Sequence, residues 1–165
     1  MNFFSKKLSL SLCVLFLSNA QGENFNVNED SIIESENDSQ EWLSHGRTYD
    51  EQRFSELNQI TSENIDRLGI QWFADLDSNR GHEATPIVSD GVMFTTGAWS
   101  VVYAHNALSG ELLWKYDPRV PKEKAYFVCC DVVNRGVAIW EGKIFFGTLD
   151  GRLIALDAKT GSLLW

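Results

Sequence analysis

Two cysteines stand side by side at 129 and 130, in the run Cys-Cys-Asp-Val-Val-Asn-Arg-Gly from Cys129 to Gly136. Adjacent half-cystines could close only a small ring that distorts the peptide bond between them. Such a ring ties down almost no chain, so loop-closure entropy gives it little stabilising value. A rigid surface on which another group rests explains it best. The alternatives are an oxidised pair without a ligand and a free-thiol redox switch. No rival chemistry is visible: His45, His82 and His105 lack a chelating spacing with each other or with the cysteines. The chain also has no Cys-x-x-Cys-His haem site, no Gly-rich phosphate loop and no Gly-x-Ser-x-Gly elbow.

The compartment bears on those thiols. Lys6 and Lys7 precede an apolar stretch, Leu8 to Leu17, followed by Ser18-Asn19-Ala20, a small-x-small cleavage site. The apolar stretch is about half the roughly twenty residues that span a bilayer. Residues 1–20 therefore read as a cleaved signal peptide, leaving no membrane span. Cys13 leaves with it, and the mature chain keeps only Cys129 and Cys130. An even count in an oxidising compartment supports a disulfide between them; in the cytosol the pair would be reduced. Cleavage removes two lysines and no carboxylate, taking the net charge from −9 to −11. A chain this acidic is a poor ligand for nucleic acid or anionic lipid.

Residues 21–40 are rich in Asn, Glu, Asp and Ser and read as disordered. Order is expected from about Trp42. Beyond it, the chain repeats. Asp90-Gly-Val-Met-Phe, Ala104 and Gly110-Glu-Leu-Leu-Trp114 recur as Glu141-Gly-Lys-Ile-Phe, Ala155 and Gly161-Ser-Leu-Leu-Trp165, at a constant offset of 51. A weaker third copy ends at Trp72. Val92–Thr96 and Lys143–Gly147 are β-rich and bounded by Asp-Gly or Glu-Gly turns, and Val101–Ala104 and Arg152–Leu156 form the next strands. Tight turns at Asn106–Gly110 and Asp157–Gly161 lead to a short strand ending in Trp. Only Ser62 to Leu68 suggests a helical turn. A repeat of 40–50 residues holding four strands predicts an all-β propeller, each Trp wedged between neighbouring blades. Propellers close with about four to eight blades. This sequence is accordingly expected to be the front part of a larger one, residues 41–165 forming its N-terminal blades.

Glu83-Ala-Thr-Pro86 with Asp90-Gly91, the Cys129–Gly136 run, and Gly147-Thr-Leu-Asp-Gly-Arg-Leu-Ile-Ala-Leu-Asp157 resemble the quinoprotein alcohol dehydrogenases. Trp42, Gly46-Arg47-Thr-Tyr-Asp50 and Arg53-Phe54 resemble the N-terminal segment of that family, whereas His45 and Glu56 depart from it. The resemblance implies a periplasmic, eight-bladed, Trp-motif propeller that uses pyrroloquinoline quinone (PQQ) and calcium to oxidise a primary alcohol. It implies a Cys129–Cys130 disulfide stacked on one face of the quinone, Arg135 on its carboxylates, and Glu83 beside the ring. Glu83 would there hold a proton or accept a hydrogen bond from the ring N–H. Asp131 and Asn134 read as loop-bracing residues and not as ligands. The resemblance puts the calcium ligands and catalytic base in later blades, so this chain supplies one face of the pocket and is expected to be inactive alone. A cytochrome c is the implied electron acceptor. The competing readings are a cofactor-free propeller that scaffolds envelope protein assembly and a non-functional gene fragment. A scaffold has no use for Cys129, Cys130 and Arg135 at this spacing.

Overall fold

A computed structural model describes residues 24–165; the signal peptide expected at 1–20 lies outside them. The chain forms a helix α1 (Glu29–Glu34) and two antiparallel sheets. The first sheet holds β1 (Ile87–Ser89), β2 (Val92–Thr96), β3 (Val102–Asn106) and β4 (Leu112–Tyr116), hydrogen-bonded in chain order. The second holds β5 (Ala138–Trp140), β6 (Lys143–Gly147) and β7 (Leu153–Asp157). These meanders are two blades of the all-β propeller expected from the repeat.

Local chemistry accounts for the strand pairing. Asp90 and Gly91 have φ of 49° and 74°, and Glu141 and Gly142 have 45° and 73°. Two successive positive-φ residues make the type I′ turn that matches strand twist. They set identical registers, Ile87 opposite Phe94 and Ala138 opposite Phe145. In the next turns, the Asn106 side chain accepts from the backbone N–H of Leu108 and Ser109, and the Asp157 side chain from that of Thr160. The expected fourth strand of the second blade is reduced to a bridge between Leu156 and Leu163. The stretch equivalent to β4 would run over 163–167, of which this sequence contains only 163–165. The third copy forms no strand; residues 65–67 make a 3₁₀ turn within the predicted helical stretch.

The repeated tryptophans do join successive units. The Trp72 indole N–H donates to the carbonyl of Ala107 and that of Trp114 to the carbonyl of Ala158, both at 3.0 Å. Each ring also lies against a turn glycine. A Cβ on Gly110 would sit 2.6 Å from Trp72, and one on Gly161 2.6 Å from Trp114. Both glycines have positive φ, so the position excludes side chains twice over.

The core is the seam between the blades. Ile87, Val92, Phe94, Val102 and Ala104 of the first sheet pack with Ile139, Ile144, Phe146, Ile154 and Leu156 of the second. The N-terminal segment departs from expectation here. Phe25 and Val27 are buried in this seam, and their carbonyls accept from the N–H of Gly142 and Glu141 at 2.7 and 2.8 Å. Helix α1 follows, closed by a reciprocal Asn28–Ser31 capping box, with Ile32 turned inward. Polar composition predicts disorder for 21–40, yet over its described part, 24–40, three well-spaced apolar side chains and two backbone bonds suffice to dock it. Trp42 then bridges Val88 on the free edge of β1.

Candidate functional site

Antiparallel order decides which connections meet. Thr96 pairs with Val102 and Val102 with Tyr116, so the β2–β3 connection, the β4–β5 connection and the segment entering β1 share one end of the blades. All four residues singled out from sequence lie on these segments. Arg135 and Glu83 form an ion pair, guanidinium to carboxylate 3.0 Å, with side chains 70% and 43% exposed. Cys130 lies close enough for both charges to act on its thiol, Arg135 favouring the thiolate and Glu83 opposing it. The larger influence is Cys129, whose hydrogen bond with Cys130 raises the Cys130 pKa. The structure differs from the expected disulfide: Cys129 and Cys130 are two free, exposed cysteines with sulfurs 2.9 Å apart. That is hydrogen-bond contact, longer than the roughly 2.05 Å of a bonded pair.

The Asn134-Arg135-Gly136 triplet divides the work of building this end. The N–H of Thr85 donates to the Arg135 carbonyl at 3.2 Å, tying the Glu83 segment to the cysteine loop. Gly136, at φ 124°, allows it; a Cβ there would come 2.9 Å from the Thr85 carbonyl oxygen. Asn134 is saturated. Its amide oxygen accepts from Thr96 Oγ1 (3.1 Å) and Gly136 N–H (3.0 Å), and its amide nitrogen donates to Ser100 Oγ (3.2 Å) and the Gly147 carbonyl (2.8 Å).

Asp131 braces the loop from the other side. It sits at φ 69°, caps its neighbour Val132, and takes the Arg80 Nε at 2.9 and 3.0 Å. The Arg80 guanidinium, aided by the Val132 N–H, pulls the Asp131 pKa down to about 2. Bracing was the role expected of Asp131 and Asn134, but Arg80 as partner carries no local signal, being far away in the chain. Trp99 and Ser100 are a further feature missed in sequence. Both have positive φ, 63° and 60°, a conformation non-glycine residues adopt at a cost. The Trp99 N–H to the Val132 carbonyl, 2.8 Å, and the Asn134 amide hold them there. Lys122 lies 3.7 Å above the Trp99 ring, a cation–π contact on the rim of a cleft that also includes Tyr103 and Lys115. Among the described residues no group of three His, Cys, Asp or Glu side chains could hold a metal ion.

A Trp-docked propeller with an exposed arginine–carboxylate pair beside adjacent cysteines defines a class, and comparison with known proteins identifies it. The chain belongs to the PQQ family described as "Glucose/ethanol/alcohol dehydrogenase, beta-propeller domain", which matches residues 42–164. It is 58% identical over 139 residues to the quinohemoprotein alcohol dehydrogenase ADH IIB of Pseudomonas putida, covering 84% of this chain and 20% of that protein. It is also 58% identical over 125 residues to the 1-butanol dehydrogenase (cytochrome c) of Thauera butanivorans, covering 76% and 18%. Among solved structures it resembles quinohemoprotein alcohol dehydrogenase ADHIIG from Pseudomonas putida HK5, with TM-score 0.84 and 54% identity over 87% of this chain and 21% of that one. The chain thus spans about a fifth of the length of these relatives.

Proposed function

We propose that this chain forms one wall of the PQQ pocket in a periplasmic quinoprotein dehydrogenase that oxidises a primary alcohol. The observation that carries the reading is the convergence of Arg135, Glu83 and the Cys129–Cys130 pair at one exposed end of the blades. The donor set fits the cofactor. PQQ is a planar tricarboxylate, and Arg135 presents a permanently charged, largely exposed fork suited to bidentate carboxylate binding. The exposed sulfurs offer a polarizable surface of the kind a flat ring rests on. On entry of the cofactor, Arg135 would share its donors between Glu83 and a PQQ carboxylate, leaving Glu83 to accept from the ring N–H.

When bound, PQQ supplies a quinone carbonyl that accepts hydride, and calcium supplies a Lewis acid. Calcium would be held by residues other than those described here. The substrate is a small primary alcohol, and a cytochrome c takes the electrons, as the names of relatives suggest. These residues orient the cofactor and provide no general base, so alone they should turn over no alcohol. The exposed face of the second blade, with Leu153, Leu163, Leu164 and Trp165, suits a further blade docked as the second docks on Trp114.

The test is titration of the metal-free, cofactor-free intact protein with PQQ, followed by quenching of tryptophan fluorescence. Saturable binding that Arg135→Ala weakens about tenfold or more is expected for loss of a charge-assisted carboxylate contact. Binding indifferent both to that change and to Cys129→Ser/Cys130→Ser would remove the reading.

A further inference from the structure

We propose that Asn134 is a positioning residue that sets the placement of Arg135 and the cysteine pair, and through them the affinity for the quinone tricarboxylate. The proposal rests on the PQQ reading above for its ligand and on geometry for the rest. A carboxamide has two donor hydrogens and an acceptor oxygen with two lone pairs, and at Asn134 all four are engaged. The orientation is unambiguous, because the Gly147 carbonyl can only accept and the Gly136 N–H can only donate.

The four partners come from different pieces of the fold. Thr96 closes β2, Ser100 lies in the strained β2–β3 connection, Gly147 closes β6 of the second blade, and Gly136 is the residue after Arg135. One side chain thus links both blades to the backbone flanking Arg135. Thr96 and Ser100 are buried, whereas Arg135 and both cysteines are exposed. The rigid part of the site is therefore beneath the binding groups. No other side chain of similar size offers two donors and two acceptors. Aspartate has the shape but would set a carboxylate oxygen against the Gly147 carbonyl with no hydrogen between them.

The experiment uses the intact protein with Asn134→Asp, Arg135→Ala and the double variant, each titrated with PQQ and melted in a calorimeter. Asn134→Asp should weaken PQQ binding about ten- to a hundredfold, the range for an unpaired polar contact. Arg135→Ala should then cost several times less in the Asn134→Asp background than in the parent, because the arginine is already misplaced. Additive effects, or unchanged PQQ affinity with only a lowered melting temperature, would overturn the proposal. If Asn134→Asp does not fold, Ser100→Ala, which removes one of the four partners, is carried through the same cycle with a severalfold loss expected. The rate at which Cys129 and Cys130 react with a disulfide reagent is read on every variant. An increase of about fivefold or more is expected where the loop is loosened, and an unchanged rate counts against the clamp. A parent that binds no PQQ would sink the quinone reading, while this rate still decides whether Asn134 places the loop.

Discussion

The two blades share a repeat, a register and a turn type, yet they bring opposite faces to the seam between them. In the first, Ile87, Ser89, Val92, Phe94 and Thr96 are buried. Their equivalents 51 residues on, Ala138, Trp140, Lys143, Phe145 and Gly147, are exposed or half-exposed. The second blade instead buries Ile139, Ile144 and Phe146, whose counterparts Val88, Met93 and Thr95 are half-buried. Blades repeated in the same orientation around a propeller meet opposite side to opposite side, and successive residues of a strand alternate between those sides. Trp114 is half-buried, seated against Gly161.

The largest expected effect tests that inversion. Phe94→Ala should destabilise the protein by about 3–5 kcal/mol, as deletion of a fully buried phenylalanine does. In residues 24–165 taken alone, where Phe145 is only half-buried, the equivalent Phe145→Ala should cost less than about 2 kcal/mol. Equal losses in denaturant unfolding would mean that both faces are sealed alike. The docking of tryptophan on glycine is next. Gly142→Ala meets open space and should cost only the left-handed penalty of about 1–2 kcal/mol. Gly161→Ala adds a clash with Trp114 and should cost about 1–3 kcal/mol more. Trp114→Phe, which loses the bond to the Ala158 carbonyl, should cost about 1 kcal/mol.

Two smaller differences are read by pH. His105 is buried with Nδ1 unpartnered, and its repeat counterpart is Leu156. Burial lowers the His105 pKa in the fold, so the unfolded chain takes up the proton first. Stability should fall as pH drops below the unfolded value of about 6.5. His105→Leu should flatten that slope in melting temperatures measured from pH 7.5 to 5. At Asp131 the sign is again that of a lowered pKa, from 3.8 to about 2. Its contribution is present above the unfolded value and lost as pH falls towards 2. Arg80→Ala should thus differ slightly from the parent at neutral pH and converge with it near pH 2.

Strands, turns and tryptophans were legible in the sequence because each depends on neighbours a few residues away. Asp90-Gly91 and Glu141-Gly142 mark tight turns, and β-rich runs on either side complete the hairpins. The cysteine pair and the Asn-Arg-Gly triplet were likewise visible, since their chemistry lies in residue type and spacing. Tertiary structure alone decided which face of each sheet meets the seam, because both faces carry apolar residues and only the neighbouring sheet selects one. It also drew Phe25 and Val27 from a polar segment into the seam, and brought Arg80 to Asp131 and Glu83 to Arg135. Those meetings follow from strand order, which places distant connections at one end of the blades, and no local pattern encodes them.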